Sequence, residues 1–460
     1  MPQQQIVQQV DDGPFAYLDG TLCIDRLPLG RMLAGVGTPA YVYSTDAVAG
    51  AYRRISDAFE PIGGRVHYAV KAGGNLALLR RLVRLGSGFE VVSGGELTRV
   101  LRAGGDPAAT VFSGVGKTRA ELAMAVGNEV TVHVESTDEL DALELVAAEL
   151  ERGATFALRA NPDVGVDTHP HLATGHDEAK FGVPVALARE LLERAASGAW
   201  PHLQAVGVHV HVGSQLPDPQ PLVEGTRVAL DLIEAGRAAG LRLDRVDVGG
   251  GLPVDYGGGA APGPEVFARA LAPLVDGRGV LLQVEPGRAV VARAGALVAG
   301  VLYRKHRPAG RMLVLDTGMH HLIRPALYGA GHRVLPLQQA SSAAPTELVG
   351  PICESTDVLG VAELPDLAPG ELVAILDAGA YGMAMASNYN AQPRPAEVVV
   401  EDGVARLARR RETWQEQLVW EYERDSAMPV LPSRALRQLT RIDDTAEFKI
   451  VDEDLIEQDR

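Results

Sequence analysis

Lys71 ends the apolar run Val66-His67-Tyr68-Ala69-Val70 and is followed at once by Ala72-Gly73-Gly74. The run reads as a buried strand that delivers one ammonium group to the rim of a sheet. A lysine is costly to bury unless it is paired or used, and a desolvated amine with a lowered pKa is a ready nucleophile towards an aldehyde cofactor. The competing reading is a lysine that snorkels from the strand end into water.

Four further groupings bear on that choice. Glu285-Pro286-Gly287-Arg288 closes another apolar run with a carboxylate, which could hold a protonated pyridine nitrogen and keep such a ring electron-accepting; the alternative is a salt bridge to a nearby arginine. Asp247-Val248-Gly249-Gly250-Gly251 ends a run in three glycines, whose bare backbone N–H groups can approach a phosphate or simply make a tight turn. His209-Val210-His211-Val212-Gly213-Ser214 sets two histidines on one face of a strand, but no Cys or carboxylate of matching spacing completes a zinc set, so a ring-stacking or core histidine is expected and no metal. Cys353-Glu354-Ser355-Thr356-Asp357 combines a thiol able to give a proton with an acid able to hold an ammonium, against the reading of an inert cysteine beside solvated acids. A fifth string, Ser113-Gly114-Val115-Gly116-Lys117-Thr118, ends like a phosphate loop but has Val111 where that motif needs glycine, and reads as a strand-to-helix turn.

The elements that must position these groups alternate. Arg65 to Val70, Gly88 to Val92, Thr110 to Ser113, Val130 to Val134, Thr155 to Arg159, Ala205 to Val212, Arg245 to Val248 and Gly279 to Glu285 read as strands. Leu76 to Leu85, Glu96 to Ala103, Thr137 to Glu151 and Pro221 to Ala239 carry helical periodicity between them. About eight strand–helix units in this length is the rhythm of a (β/α)₈ barrel, with an open doubly wound sheet as the alternative. Lys71, Glu90, Ser113, His133, Arg159, His211, Gly249 and Glu285 all fall at the C-terminal ends of these runs, where either architecture binds ligands. The expected division is a barrel over 37–294, a mainly β sandwich- or barrel-like domain over 1–36 and 295–425, and an acidic tail at 426–460. The polar stretch Asn161 to Phe181 is long enough to be a functional lid or a disordered loop.

With 460 residues, 46% of them hydrophobic, the chain has room for a large core, and its net charge of −16 argues against a nucleic-acid or anionic-membrane binder. Two cysteines, Cys23 and Cys353, and an N-terminus without basic and apolar regions point to a reducing cytoplasm. No apolar run approaches the roughly 18 to 20 residues of a membrane span.

Taken in order, Tyr-Ala-Val-Lys at 68–71, His-Val-Gly-Ser at 211–214, the triple glycine, Glu-Pro-Gly-Arg at 285–288, Arg-Pro-Ala-Leu-Tyr at 324–328, Cys-Glu-Ser at 353–355 and Gly-Ala-Tyr-Gly at 379–382 resemble the diaminopimelate decarboxylase family over roughly residues 15 to 420. The resemblance implies an alanine-racemase-like barrel with a β domain, and decarboxylation of meso-2,6-diaminopimelate to L-lysine with pyridoxal 5'-phosphate. It further implies that Lys71 forms the Schiff base, that His211 stacks on the cofactor ring and that Glu285 pairs with its nitrogen. Ser214, Gly249, Gly250, Gly251 and Tyr381 would serve the phosphate. Arg288, Arg324, Tyr328 and Tyr381 would hold the substrate, Glu354 its distal ammonium, and Cys353 would protonate the carbon that loses CO₂. Cys353 and Glu354 would come from the partner of a homodimer. Gly73 departs from the family's usual asparagine, and the tail runs past the usual end. A decarboxylase for another basic amino acid or a carboxylated polyamine is the alternative; a racemase is opposed by Glu285, since an arginine is expected there, and a mere cofactor carrier leaves Cys353, Glu354 and Arg324 unexplained.

Overall fold

Short β-branched runs, each buried on both faces, close on themselves in the computed structural model, which describes residues 7–9, 13–165, 180–257, 261–308, 310–419 and 421. Gly64–Ala69, Gly88–Val91, Thr110–Phe112, Thr131–Val134, Ala154–Asn161, Leu203–His209, Arg245–Asp247 and Leu281–Val284 pair in sequence order, every pair parallel. The last strand returns to the first, with Leu282 opposite Gly64 and Val284 opposite Val66, so the sheet is a barrel and not an open doubly wound sheet. Side chains such as Phe89, Val132, Leu158, Val208, Val246 and Leu282 are almost wholly withdrawn from water, which is why these runs lack the alternation of a half-exposed strand.

Helices form the outer ring, and their starts are set by polar caps. Asn75, Ser93, Ser136 and Ser44 each accept a backbone N–H of the first turn, and Thr118 with Glu121 makes a reciprocal capping box. The eighth strand is followed only by the four-residue helix Arg288–Val291. Thr45–Phe59, which precedes the first strand, packs between Leu76–Val83 and Pro264–Val275 and so completes the ring.

The second domain is built on the 13-residue strand Gly295–Arg307, which pairs antiparallel with Gly310–Leu315, Leu372–Ile375 and Ala40–Ser44. Ala40–Ser44 is also parallel to Ala396–Glu401. The barrel therefore starts at Thr45 and not at residue 37, because a strand just before its first helix belongs to the other sheet. Local periodicity carries no trace of that long-range pairing. Phe15–Leu18, Thr21–Ile24 and Leu27–Pro28 form a small separate sheet docked on this domain through Tyr17, whose hydroxyl donates to the Pro336 carbonyl at 2.7 Å.

Residues 166–179 of the stretch read as a loop after the fifth strand, and the acidic tail at 426–460, lie outside the described residues. Among the described residues no helix is long and apolar enough to cross a membrane.

Candidate active site

The first barrel strand ends at Ala69, and a single tight turn, Val70–Ala72, carries Lys71 over the rim with 38% of its side chain exposed. Its Nζ lies 3.1 Å from Oε1 and 3.0 Å from Oε2 of Glu90, which the second strand delivers almost fully buried. Desolvation pulls the ammonium down, but Glu90, Tyr381 and Glu285 outweigh it and raise the pKa above the ordinary lysine value. This corrects the lowered pKa expected of a desolvated strand-end amine: strand spacing placed the lysine and could not show the acid facing it. The turn itself is held by Tyr68, whose hydroxyl donates to the Gly73 carbonyl at 2.9 Å, and by the Tyr381 amide, which donates to the Ala72 carbonyl at 2.8 Å. A side chain at position 73 would begin 3.3 Å from that same Tyr68 hydroxyl.

Glu285 follows the eighth strand and faces inward among His209, His133 and Asp247. His209 Nε2 stands 3.5 Å from one carboxylate oxygen and His133 Nδ1 3.8 Å from the other. The two imidazoles stack at 4.4 Å, and the Ser113 hydroxyl sits 3.0 Å from His133 Nδ1. Burial, then neighbouring cations, holds both histidines well below their ordinary pKa, so they are neutral. Burial also raises Glu285, opposed by Lys71 and Arg159, while Asp247 is pushed well above the carboxylate range by burial and by Glu285. His133, His209 and Glu285 bring donor atoms within 4.8 Å of one another, a grouping the His-Val-His spacing alone did not reveal.

His211 lies just past the sixth strand and not within it, and its Nδ1 accepts the Gly250 N–H at 3.2 Å. The three glycines beside it are required by crowding: a Cβ on Gly249 would strike the His211 ring, one on Gly250 would come within 2.6 Å of the Glu285 carbonyl, and one on Gly251 within 2.7 Å of Leu216. Gly249 and Gly251 also take positive φ angles of 70° and 102°. The tight-turn reading therefore holds here.

Ser214 links this turn to a second group, since its hydroxyl accepts from Arg288 Nη2 at 3.3 Å. Arg288 also donates to the Tyr256 hydroxyl at 3.2 Å and lies 4.8 Å over the Tyr381 ring. Arg324, at the start of the short helix Arg324–Tyr328, sits 4.3 Å over Tyr256, and Tyr328 is near enough to perturb both guanidiniums. Both arginines are buried, and among the described residues neither is paired with a carboxylate. Two withdrawn, un-neutralised cations beside tyrosine hydroxyls make a receptor for an anion.

Cys353 and Glu354 are exposed on the loop between Ala344–Val349 and Val358–Leu364. The Cys353 amide donates to Asn390 at 3.0 Å and Tyr389 donates to Glu354 at 2.7 Å, and among the described residues no hydrogen bond or ion pair joins either residue to Lys71. The loop is anchored from behind by buried Asp357, which accepts from the Met319 and Ile352 amides at 2.6 and 2.8 Å.

Residues 45–292 match the model of the pyridoxal-dependent decarboxylases, specifically the pyridoxal binding domain, which starts where the barrel does. The chain is 43% identical to diaminopimelate decarboxylase of Neisseria meningitidis serogroup A, over 86% of this chain and 98% of the relative. It is 44% identical to diaminopimelate decarboxylase of Pseudomonas aeruginosa, over 87% and 97%. Among solved structures, diaminopimelate decarboxylase of Helicobacter pylori complexed with L-lysine is similar with a TM-score of 0.81 and 36% identity, covering 85% of this chain and 98% of that one. The chain belongs to the diaminopimelate decarboxylase family. Membership brings pyridoxal phosphate as cofactor.

The rim fits the family's cofactor on its own evidence. Glu285 Oε1 is buried without a hydrogen-bond partner among the described residues, as a partner for a ring nitrogen must be. Glu90, His133 and Arg159 drew attention in the sequence only as strand ends. Tyr256 and His332, which hold the two arginines, gave no signal at all: they sit in loops, and only the folded chain brings them to Arg288 and Arg324.

Proposed function

We propose that this chain decarboxylates meso-2,6-diaminopimelate to L-lysine, the last step of lysine biosynthesis, with pyridoxal phosphate bound at the barrel rim. The observation that carries the substrate reading is the pair of buried guanidiniums that meet no acid partner among the described residues, Arg288 bonded to Ser214 and both flanked by tyrosines. A diamine precursor such as lysine or ornithine has no distal carboxylate for them to bind.

Bound pyridoxal phosphate supplies the electron sink that accepts the bonding pair as CO₂ leaves. Lys71 is the covalent tether, and Glu90 holds its ammonium until the amine is needed. Glu285 would keep a proton on the ring nitrogen, with neutral His133 and His209 flanking its carboxylate. His211 would cover the ring, and Ser214, the turn at Gly249, Gly250 and Gly251, and the Tyr381 hydroxyl would serve the phosphate. Arg288, Arg324 and Tyr328 hold the distal carboxylate, with Tyr381 closing the pocket. Cys353 delivers a proton to the carbon that has lost CO₂, and Glu354 takes the distal ammonium.

The last two act from the partner of a homodimer. Their exposure supports this. The need for a reduced thiol at Cys353 supports a cytoplasmic setting.

The test is to incubate purified protein with meso-diaminopimelate and pyridoxal phosphate and to assay lysine and CO₂. Equimolar release of both is expected. Turnover of another amino acid without lysine from diaminopimelate overturns the substrate assignment.

A further inference from the structure

Arg324 has to keep its charge for an anion while being held still, and an acid partner would defeat the first requirement. The structure uses an imidazole instead. Arg324 Nη1 stands 2.8 Å from His332 Nε2, and His332 Nδ1 stands 2.9 Å from the Leu376 carbonyl. A carbonyl only accepts and a guanidinium only donates, so both contacts are satisfied together by one form alone: Nδ1 carries the hydrogen and Nε2 offers its lone pair to the arginine. The ring is neutral, and it orients the guanidinium without cancelling its charge.

The mount behind His332 is stiff. The Leu376 amide returns a bond to the Arg333 carbonyl at 2.8 Å, and Arg333 is gripped by both oxygens of Asp377 at 2.9 and 3.0 Å. The strand that follows, Val334–Pro336, pairs with Leu372–Ile375 in the second sheet. Tyr256 completes the arrangement: its ring meets His332 edge-on at 5.6 Å, lies 4.3 Å from the Arg324 guanidinium, and its hydroxyl accepts from Arg288 at 3.2 Å. The groups facing His332 are thus Arg324, Tyr256 and, through Tyr256, Arg288.

We propose that His332 is a positioning residue for substrate specificity: it fixes Arg324 so that the pocket favours amino acids bearing a distal carboxylate over those without one. This rests on the substrate-binding role given to Arg324 above. His332 acts through Arg324 and touches none of the reacting atoms, so its removal is read in substrate affinity and selectivity and not in the chemical step.

The experiment compares His332→Leu, which removes the acceptor, with His332→Gln, which returns an acceptor oxygen near the position of Nε2. KM and kcat are measured for meso-diaminopimelate, inhibition by 1,5-diaminopentane, which has the two amines and no carboxylate, is measured in parallel, and the absorbance of the lysine-linked cofactor reports the rim. Losing one hydrogen bond to a charged group corresponds to about ten- to hundredfold. His332→Leu is expected to raise KM by that factor with kcat within about threefold, to leave diaminopentane inhibition and cofactor absorbance unchanged, and His332→Gln to recover most of the loss. An unchanged KM in a folded His332→Leu protein overturns the inference. So does a joint collapse of kcat and cofactor absorbance that His332→Gln fails to repair, which would mark a purely structural residue. Wild-type protein that does not decarboxylate diaminopimelate overturns the substrate reading first, and this inference with it.

Discussion

The barrel rim around Lys71 and the β-domain loop around Cys353 are built to different standards. At the rim each group is held by several others in the same chain: Lys71 by Glu90, Glu285 by His133, His209 and Asp247, Arg288 by Ser214 and Tyr256. On the loop, Cys353 and Glu354 are exposed; the Cys353 amide donates to Asn390 and the Glu354 carboxylate accepts from Tyr389. Parts that bind a cofactor permanently gain from being over-determined by their own barrel. Parts that meet substrate across an interface gain their surroundings only when the interface forms. The contrast is what the proposed division predicts: the residues proposed for the cofactor meet within one chain, and Cys353 and Glu354 stand apart from them.

The largest expected effect breaks the rim. Lys71→Ala should abolish activity by more than about a thousandfold and remove the absorbance of the lysine-linked cofactor; retention of both would end the tether role. Glu285→Gln keeps the shape but cannot hold the ring-nitrogen proton, and kcat should fall about 10²- to 10³-fold with the cofactor still bound. Stopped assays with the cofactor content measured separately would check this, and a change below tenfold would remove Glu285 from the chemistry. Glu90→Gln should lower the Lys71 pKa, because Glu90 is the largest charge raising it. Reaction of the cofactor-free variant with pyridoxal phosphate should then begin at lower pH than in wild type, and an unmoved profile would sever the pair. The smallest effect is on stability. Burial holds His67 down to about 4, whereas an unfolded histidine takes its proton near 6.5. The unfolded chain binds the extra proton between those values, so stability falls as pH drops from about 6.5 to about 4. His67→Gln should flatten that part of a melting-temperature profile, which would be unchanged if His67 titrated normally.

How legible all this was in the sequence follows the same contrast. The eight strands could be read because each is a short β-branched run bounded by turn residues, and the strand ends named Lys71, Glu90, His133, Arg159, His211 and Glu285 as neighbours before any distance was known. The division at residue 37 could not be read, since Ala40–Ser44 looks like any other apolar run and only its partners at Gly295–Val298 and Ala396–Val400 assign it. The raised pKa of Lys71, the meeting of His133 and His209 with Glu285, and the hold of His332 on Arg324 depend on side chains from distant segments, which local spacing does not encode. The roles proposed for Cys353 and Glu354 rest on the family resemblance, because among the described residues no hydrogen bond or ion pair joins them to Lys71.

The central claim, a site divided between two chains, is tested most directly by mixing. Lys71→Ala and Cys353→Ala subunits, each inactive alone, are unfolded together, refolded and shown to form mixed dimers. With divided sites each mixed dimer carries one intact site, so a random equimolar mixture should recover about a quarter of wild-type activity. Verified mixed dimers that remain as inactive as their parents would contradict the account.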